Sequence, residues 1–493
     1  MKDKNNLSRR DFVTAVGATA ATVGSLNAPR AKAARLAIDS VSTQELVDAV
    51  AKKLGVVGGQ LAIFDGNEVH EFSTGFAHLE AKVPVASDTL FQIGSTTKLF
   101  NAATVMSLVD EERLDLDEPI GSYLKDFTLP DRAERKITLR HLLSMTSGLD
   151  NGPYTDYGCG DDALPLYVKE MENIPRIFEP GEAFGYSNAS TNIAGLAAAR
   201  VVGTNWETLL SDRILAPVGL KHPVSLVADI IMRPFARGYE YVGGASDVVP
   251  VTHFDMPRSI APAGGSLCCN AGDLVRFARM CLDKGANANG TRVLSPDSIA
   301  TMQTHQVKMP TTEMGVHWCV GPFHKVWDGA DIYGHSGTTY CGSSYLLWVP
   351  ERNFAIATIS NVATLGYPFA SAIFKHVFKD VLGIEKPKPL NPETAVRADI
   401  DPSRYTGKFV SHNRTFTVTS DGQKLNATYY YIDPGIEEET IQSELIPLGG
   451  DRFLPAELAM SGNRNWDVAF WGTDKKGAAT HFLNGTWPFY RVE

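Results

Sequence analysis

Ser95-Thr96-Thr97-Lys98 sets a hydroxyl and an amine three residues apart. At the start of a helix such residues share a face, so the two side chains meet. A serine alone is a weak nucleophile, and a neighbouring base that takes its proton activates it. Desolvation or nearby positive charge lowers a lysine's pKa enough for that work. A helix N-terminus adds a favourable potential for the oxyanion formed when serine attacks a carbonyl. The chemistry such a pair could support is acyl transfer. The same spacing recurs at Ser122-Tyr123-Leu124-Lys125, but that copy follows Pro119 and Gly121 in a polar segment and opens no long apolar helix, so it reads as structural. Two more short elements follow in chain order, Tyr186-Ser187-Asn188 and His335-Ser336-Gly337. Taken singly, Tyr186 reads as a core aromatic and His335 as the cap of a strand end. Their order behind Ser95, with their flanking sequence, makes them functional candidates.

The elements that must position these residues are legible in outline. Gln60 to Val69 reads as strand, Asp65-Gly66-Asn67 turn, strand. From Ser95 onward Leu99, Ala102, Ala103, Met106 and Val109 recur at helical spacing, which predicts an amphipathic helix opened by Ser95. Residues 137–149 predict a second short helix ending near Gly148, and His141 within it reads as structural. Tyr345–Val349 and Phe354–Ile359 predict another hairpin, and Ile373, Val377 and Val381 mark a closing helix. Strands at both ends with helices between predict an α+β domain over 36–385 whose first and last strands share one sheet. The prolines at 387, 389 and 392 mark a connector over 386–396. Residues 397–493 carry alternation at Thr415–Thr419, an Asp421-Gly422 turn, Tyr429-Tyr430-Tyr431 and an Asp474–Gly477 turn, which predicts a small all-β barrel or sandwich. Trp466, Trp471 and Trp487 are expected in its core.

Composition narrows the class. The chain has 493 residues, 44% hydrophobic and 21% charged, as soluble globular proteins do. Residues 1–33 read as a twin-arginine-type leader: Arg9-Arg10, a weakly apolar stretch to Ala28, then Ala31-Lys32-Ala33 as a cleavage site. Export to the periplasm or beyond is therefore expected. That apolar run is too short and too rich in Gly and Thr for a permanent anchor, so no integral membrane span is expected. The net charge of −10 argues against nucleic acid as a partner. The six cysteines include no CxxC pair and fix no disulfide pairing, and Cys268-Cys269 reads as packing. The histidines show neither HExxH nor His-x-His, so no metal and no cofactor are expected.

Ser95-Thr96-Thr97-Lys98, Tyr186-Ser187-Asn188 and His335-Ser336-Gly337, in that order, resemble the serine β-lactamase and penicillin-binding superfamily, and more narrowly its class C β-lactamase-like esterases and D-peptidases. The likeness extends to Gly75, the 138–143 run with Thr146-Ser147-Gly148-Leu149, and Gly264-Gly265. It implies an antiparallel sheet flanked by helices plus an all-helical region, followed here by a lipocalin-like barrel. It implies Ser95 as nucleophile, Lys98 as its partner, Tyr186 as proton relay, and Asn188, His335, Ser336 and Gly337 as substrate-binding residues. The oxyanion hole would be the amides of Ser95 and Thr338. True class C β-lactamases carry Lys-Thr-Gly at the third element; His335 weakens that fixed charge. The expectation is an exported serine hydrolase of small esters, amides or short peptides, possible as a homo-oligomer. The alternatives are a D-Ala-D-Ala carboxypeptidase or β-lactamase, a transacylase, or a noncatalytic penicillin- or peptide-binding protein.

Overall fold

The computed structural model describes residues 38–242, 247–312, 314–388, 390, 399–431, 439–456 and 467–492. The expected leader, Trp466 and much of the Pro-rich connector lie outside these residues. One antiparallel sheet is built from β1 (Gly58–Phe64), β2 (Val69–His78), β3 (Val83–Pro84), β4 (Val307–Lys308), β5 (His317–Trp318), β6 (Phe323–Trp327), β7 (Ala330–Thr339), β8 (Gly342–Val349) and β9 (Phe354–Ser360). Their spatial order is β3-β2-β1-β9-β8-β7-β6-β5-β4. The expected closure is present: Gln60 of β1 lies opposite Ile359 of β9. The β1–β2 turn is held by the Asp65 carboxylate, which accepts the amides of Asn67 and Glu68 at 2.9 Å each.

Why β1 and β9 read as unbroken apolar runs is clear from what covers them. Leu61, Ile63 and Ile356 pack in one core with Val47 of helix α1 (Ser40–Leu54) and with Phe369 and Ile373 near the C-terminal end of the domain. Ala62, Phe64, Ala355 and Ala357 join the other core, with Leu274 and Phe277. With both faces covered, every residue of the two strands is buried, and the period-2 signal of a half-exposed strand vanishes.

The helix behind Ser95 differs from expectation. Ser95 lies in a 3₁₀ turn, Gly94–Thr96, and helix α2 runs from Thr97 to Asp110. Thr97 through Leu108 are all buried, so the helix is central rather than amphipathic. Asn101, Thr104 and Ser107 are paired internally instead of facing water. The Asn101 amide donates to Thr191 O in helix α3 (Asn188–Val202) and its Oδ1 accepts the Trp206 indole N–H. Thr104 and Ser107 donate back to Phe100 O and Thr104 O along the same helix.

The C-terminal segment is a closed barrel of eight strands: β10 (Gly407–Ser411), β11 (Arg414–Ser420), β12 (Leu425–Tyr431), β13 (Glu439–Gly449), β14 (Arg452–Pro455), β15 (Val468–Trp471), β16 (His481–Asn484) and β17 (Trp487–Arg491). Phe409 opposite Arg491 closes it. Phe409, Phe416, Phe453, Phe470, Phe482 and Phe489 fill the interior, each worth about 1.5–3 kcal/mol of burial. Trp471 and Trp487 correct an expectation: both are half-buried and both also pack against the core of the first domain.

Candidate functional site

The 3₁₀ turn, helices α2 and α3, and strand β7 converge on one point. Lys98 is 2% exposed. Its ammonium reaches Ser95 Oγ at 3.0 Å, Asn188 Oδ1 at 2.6 Å and Ala263 O at 2.6 Å. It also lies 4.8 Å from the centre of the Tyr186 ring. Burial holds the Lys98 pKa well below the ordinary lysine value, which favours the neutral amine a base requires. Asn188 is fixed from both ends: its N–H donates to Asn151 Oδ1 at 3.0 Å and its amide donates to the Tyr154 hydroxyl at 2.9 Å.

Backbone meets backbone where β7 crosses the Ser95 turn. A β-carbon on Gly337 would fall 1.9 Å from Ile93 O and 2.7 Å from Ser95 N, and one on Gly94 would fall 2.7 Å from Thr338 N. Only glycine permits that approach, and it brings the amides of Ser95 and Thr338 to one spot. The turn is tied to the sheet by Ser344, whose hydroxyl lies 2.7 Å from both Ile93 O and Thr96 Oγ1. β7 is interior to the sheet, but its pairing with β6 ends at Phe323 opposite Gly334 while β8 continues beside it to Thr339. Among the described residues, 335–339 therefore have a paired strand on one side alone.

His335 is fully buried, and its Nδ1–H donates to Ser336 O at 2.6 Å. Burial, with the nearby Lys98 charge, pushes its pKa down to about 3. It is a neutral imidazole, and among the described residues its Nε2 accepts no hydrogen bond. Trp318 stands edge-on to both His335 and Tyr186, at 5.4 and 5.7 Å between ring centres. Ser336 separates from this group: it borders a cavity of about 410 Å³, lined also by Tyr345, Leu347, Phe374 and Lys386, which Ser95, Lys98 and Tyr186 do not border.

The barrel contributes to the site, which sequence reasoning missed. Tyr186 N–H donates to Thr486 O at 2.9 Å, and the Trp487 ring stands edge-on to Tyr186 at 5.2 Å. The Arg414 guanidinium lies over Trp487 at 4.6 Å. Asp150, whose buried carboxyl is raised in pKa by desolvation, accepts the His412 N–H at 2.8 Å, and its carbonyl accepts the Ser187 hydroxyl at 2.8 Å. Thr311 and Thr312 add bonds to Gly485 O and Asp467. The Tyr186-Ser187-Asn188 loop is thus clamped between two domains. No local motif announces these partners; the aromatic Trp487 was the single visible signal. His141 is structural, its ring nitrogen closing the cap of a short helix at Thr138. All six cysteines are free, five of them buried.

A buried lysine against a serine at a helix start, with two backbone amides at hand, defines a serine hydrolase that works by acyl transfer. Residues 43–373 match the sequence pattern of the beta-lactamase family. Penicillin-binding protein 4 of Amycolatopsis lactamdurans is 33% identical over 378 residues, covering 75% of this chain and 97% of that protein. The D-amino acid amidase of Ochrobactrum anthropi SV3, solved with L-phenylalanine amide, is 26% identical with a TM-score of 0.55, covering 65% of this chain and 91% of that one. The structure of SurE shares the fold across both domains, at TM-score 0.71 and 24% identity over 92% of this chain and 99% of that one. The chain belongs to the beta-lactamase and penicillin-binding family of serine hydrolases.

Proposed function

We propose that this is an exported serine hydrolase that cleaves small esters, amides or short peptides through an acyl-enzyme on Ser95. The carrying observation is the 3.0 Å contact between a buried, pKa-depressed Lys98 and Ser95 Oγ. Neutral Lys98 takes the Ser95 proton as Oγ attacks the acyl carbon. The amides of Ser95 and Thr338 stabilise the oxyanion. Tyr186, beside Lys98, passes the proton to the leaving group. Water then attacks the ester by the reverse relay. Asn188 positions Lys98 and the substrate along residues 335–338. The neutral His335 presents no fixed positive charge to a substrate carboxylate, which supports neutral acyl substrates over anionic ones. Export rests on the Arg9-Arg10 leader pattern.

The experiment compares kcat/KM for p-nitrophenyl esters, D- and L-amino-acid amides, short D-peptides and a penicillin, in wild type and Ser95→Ala. Turnover of esters or amides, lost in Ser95→Ala, is expected. A second reading, cell-wall D-peptide or penicillin chemistry, is favoured by the likeness to penicillin-binding protein 4; it takes over if the penicillin or D-Ala-D-Ala peptides react fastest. Turnover of none sinks the hydrolase reading.

A further inference from the structure

Three histidines far apart in sequence come together on the outer part of the sheet. His317 of β5 and His324 of β6 are directly opposite each other in an antiparallel pair. His305 follows helix α4 (Pro296–Gln303), and its segment is held against β5 by the Gln306 N–H donating to Trp318 O at 2.9 Å. Each ring offers a nitrogen within 4.8 Å of the others. His317 Nδ1 lies 3.4 Å from His324 Nδ1, within hydrogen-bond reach, while the exposed His305 ring lies parallel to His317 at 4.1 Å and must turn about its side-chain bonds to aim its lone pair at the same ion. Two imidazole nitrogens bound to one tetrahedral zinc ion at about 2.0–2.1 Å are themselves about 3.4 Å apart. His324 supplies a further mark of such a site: its Nε2 is 2.8 Å from the Asp331 carboxylate. A carboxylate that takes the N–H of one ring nitrogen leaves the other as a lone pair, and it fixes the ring as second-layer groups do around metals.

We propose that His305, His317 and His324 bind one divalent transition-metal ion, zinc or a similar imidazole-preferring cation, with Asp331 orienting His324. His305 is exposed while His324 is buried, so the site opens to solvent on one side. It can be loaded in the folded protein, and a water completes four-coordination. The ion would tie the α4–β4 connection to the β5–β6 hairpin. The next residues on that hairpin, Trp318 and Phe323, pack against His335. The role is structural support for the wall of the catalytic site, and no step of the acyl transfer passes through the ion.

The test uses chelator-treated protein titrated with ZnCl2 alone, followed by calorimetry and thermal unfolding, and with CoCl2 for its visible absorption. One equivalent is expected to bind, with the unfolding midpoint rising by about 2–5 °C at saturation. His305→Ala, at an exposed position, and His317→Gln each weaken binding about 10–100-fold and remove the cobalt spectrum, and Asp331→Asn weakens it about tenfold. The ester hydrolysis of His305→Ala shows that it is folded. No binding at 100-fold excess of metal, or binding unchanged in both His305→Ala and His317→Gln, overturns the proposal.

Discussion

Ser95-Thr96-Thr97-Lys98 and Ser122-Tyr123-Leu124-Lys125 share a spacing, and both serines lie in a short 3₁₀ turn, but their surroundings differ. Ser122 and Lys125 are exposed, and the Ser122 hydroxyl donates to Glu118 at 2.5 Å. Lys98 is sealed between two helices and three oxygen acceptors, where losing water depresses its pKa. The pair teaches that burial makes the base, while the motif supplies only its reach.

Serine replacements break that comparison most sharply. Ser95→Ala is expected to lower kcat/KM on the best ester by about 10⁴-fold or more, whereas Ser122→Ala stays within about twofold. A comparable loss in both, or in neither, would remove the distinction. Lys98→Met should cost about 10³-fold, mainly in the acylation rate, while Lys125→Met leaves the rate unchanged. The pH profile sharpens the same point. A depressed pKa means that the active neutral amine appears as pH rises through that lowered value, so kcat/KM should reach its plateau well below the ordinary lysine pKa of about 10.4. His335, at about 3, stays neutral throughout. His335→Gln should therefore leave the profile between pH 5 and 8 unaltered in shape; a limb that disappears with the imidazole would show that His335 is the titrating group.

The smallest expected effect concerns the barrel. Trp487→Ala removes the ring that stands against Tyr186 and should lower kcat about tenfold with little change in KM, since a misplaced relay slows chemistry more than binding. Trp471→Ala, whose ring stacks on His481 and touches Phe178, serves as the control and should lower the unfolding temperature without that selective loss.

How far the sequence carries the account follows from the range of the interactions. Ser95 and Lys98 are neighbours on one turn, so spacing alone brings them together. The β1–β2 hairpin was visible for the same reason, through Asp65-Gly66-Asn67. The adjacency of β1 and β9 followed from matching apolar runs at the two ends of the domain. What stayed hidden is held by contacts far apart in the chain: Thr486 on Tyr186 and His412 on Asp150, the latter 262 residues apart. No periodicity encodes a docking surface between two folded units. The amphipathic reading of α2 failed because Asn101, Thr104 and Ser107 pair inside the core, which a pattern of residue types cannot distinguish from exposure to water. The three-histidine cluster escaped likewise, since strand pairing and not spacing along the chain brings His317 to His324.

The central claim, a covalent acyl-enzyme on Ser95, is tested most directly by intact and peptide mass spectrometry after brief exposure of wild type, Ser95→Ala and Ser122→Ala to a fluorophosphonate and to a penicillin. The account predicts a single adduct on wild type and Ser122→Ala, mapped to the peptide containing Ser95, and none on Ser95→Ala. An adduct that persists in Ser95→Ala, or that maps to any other residue, would contradict it.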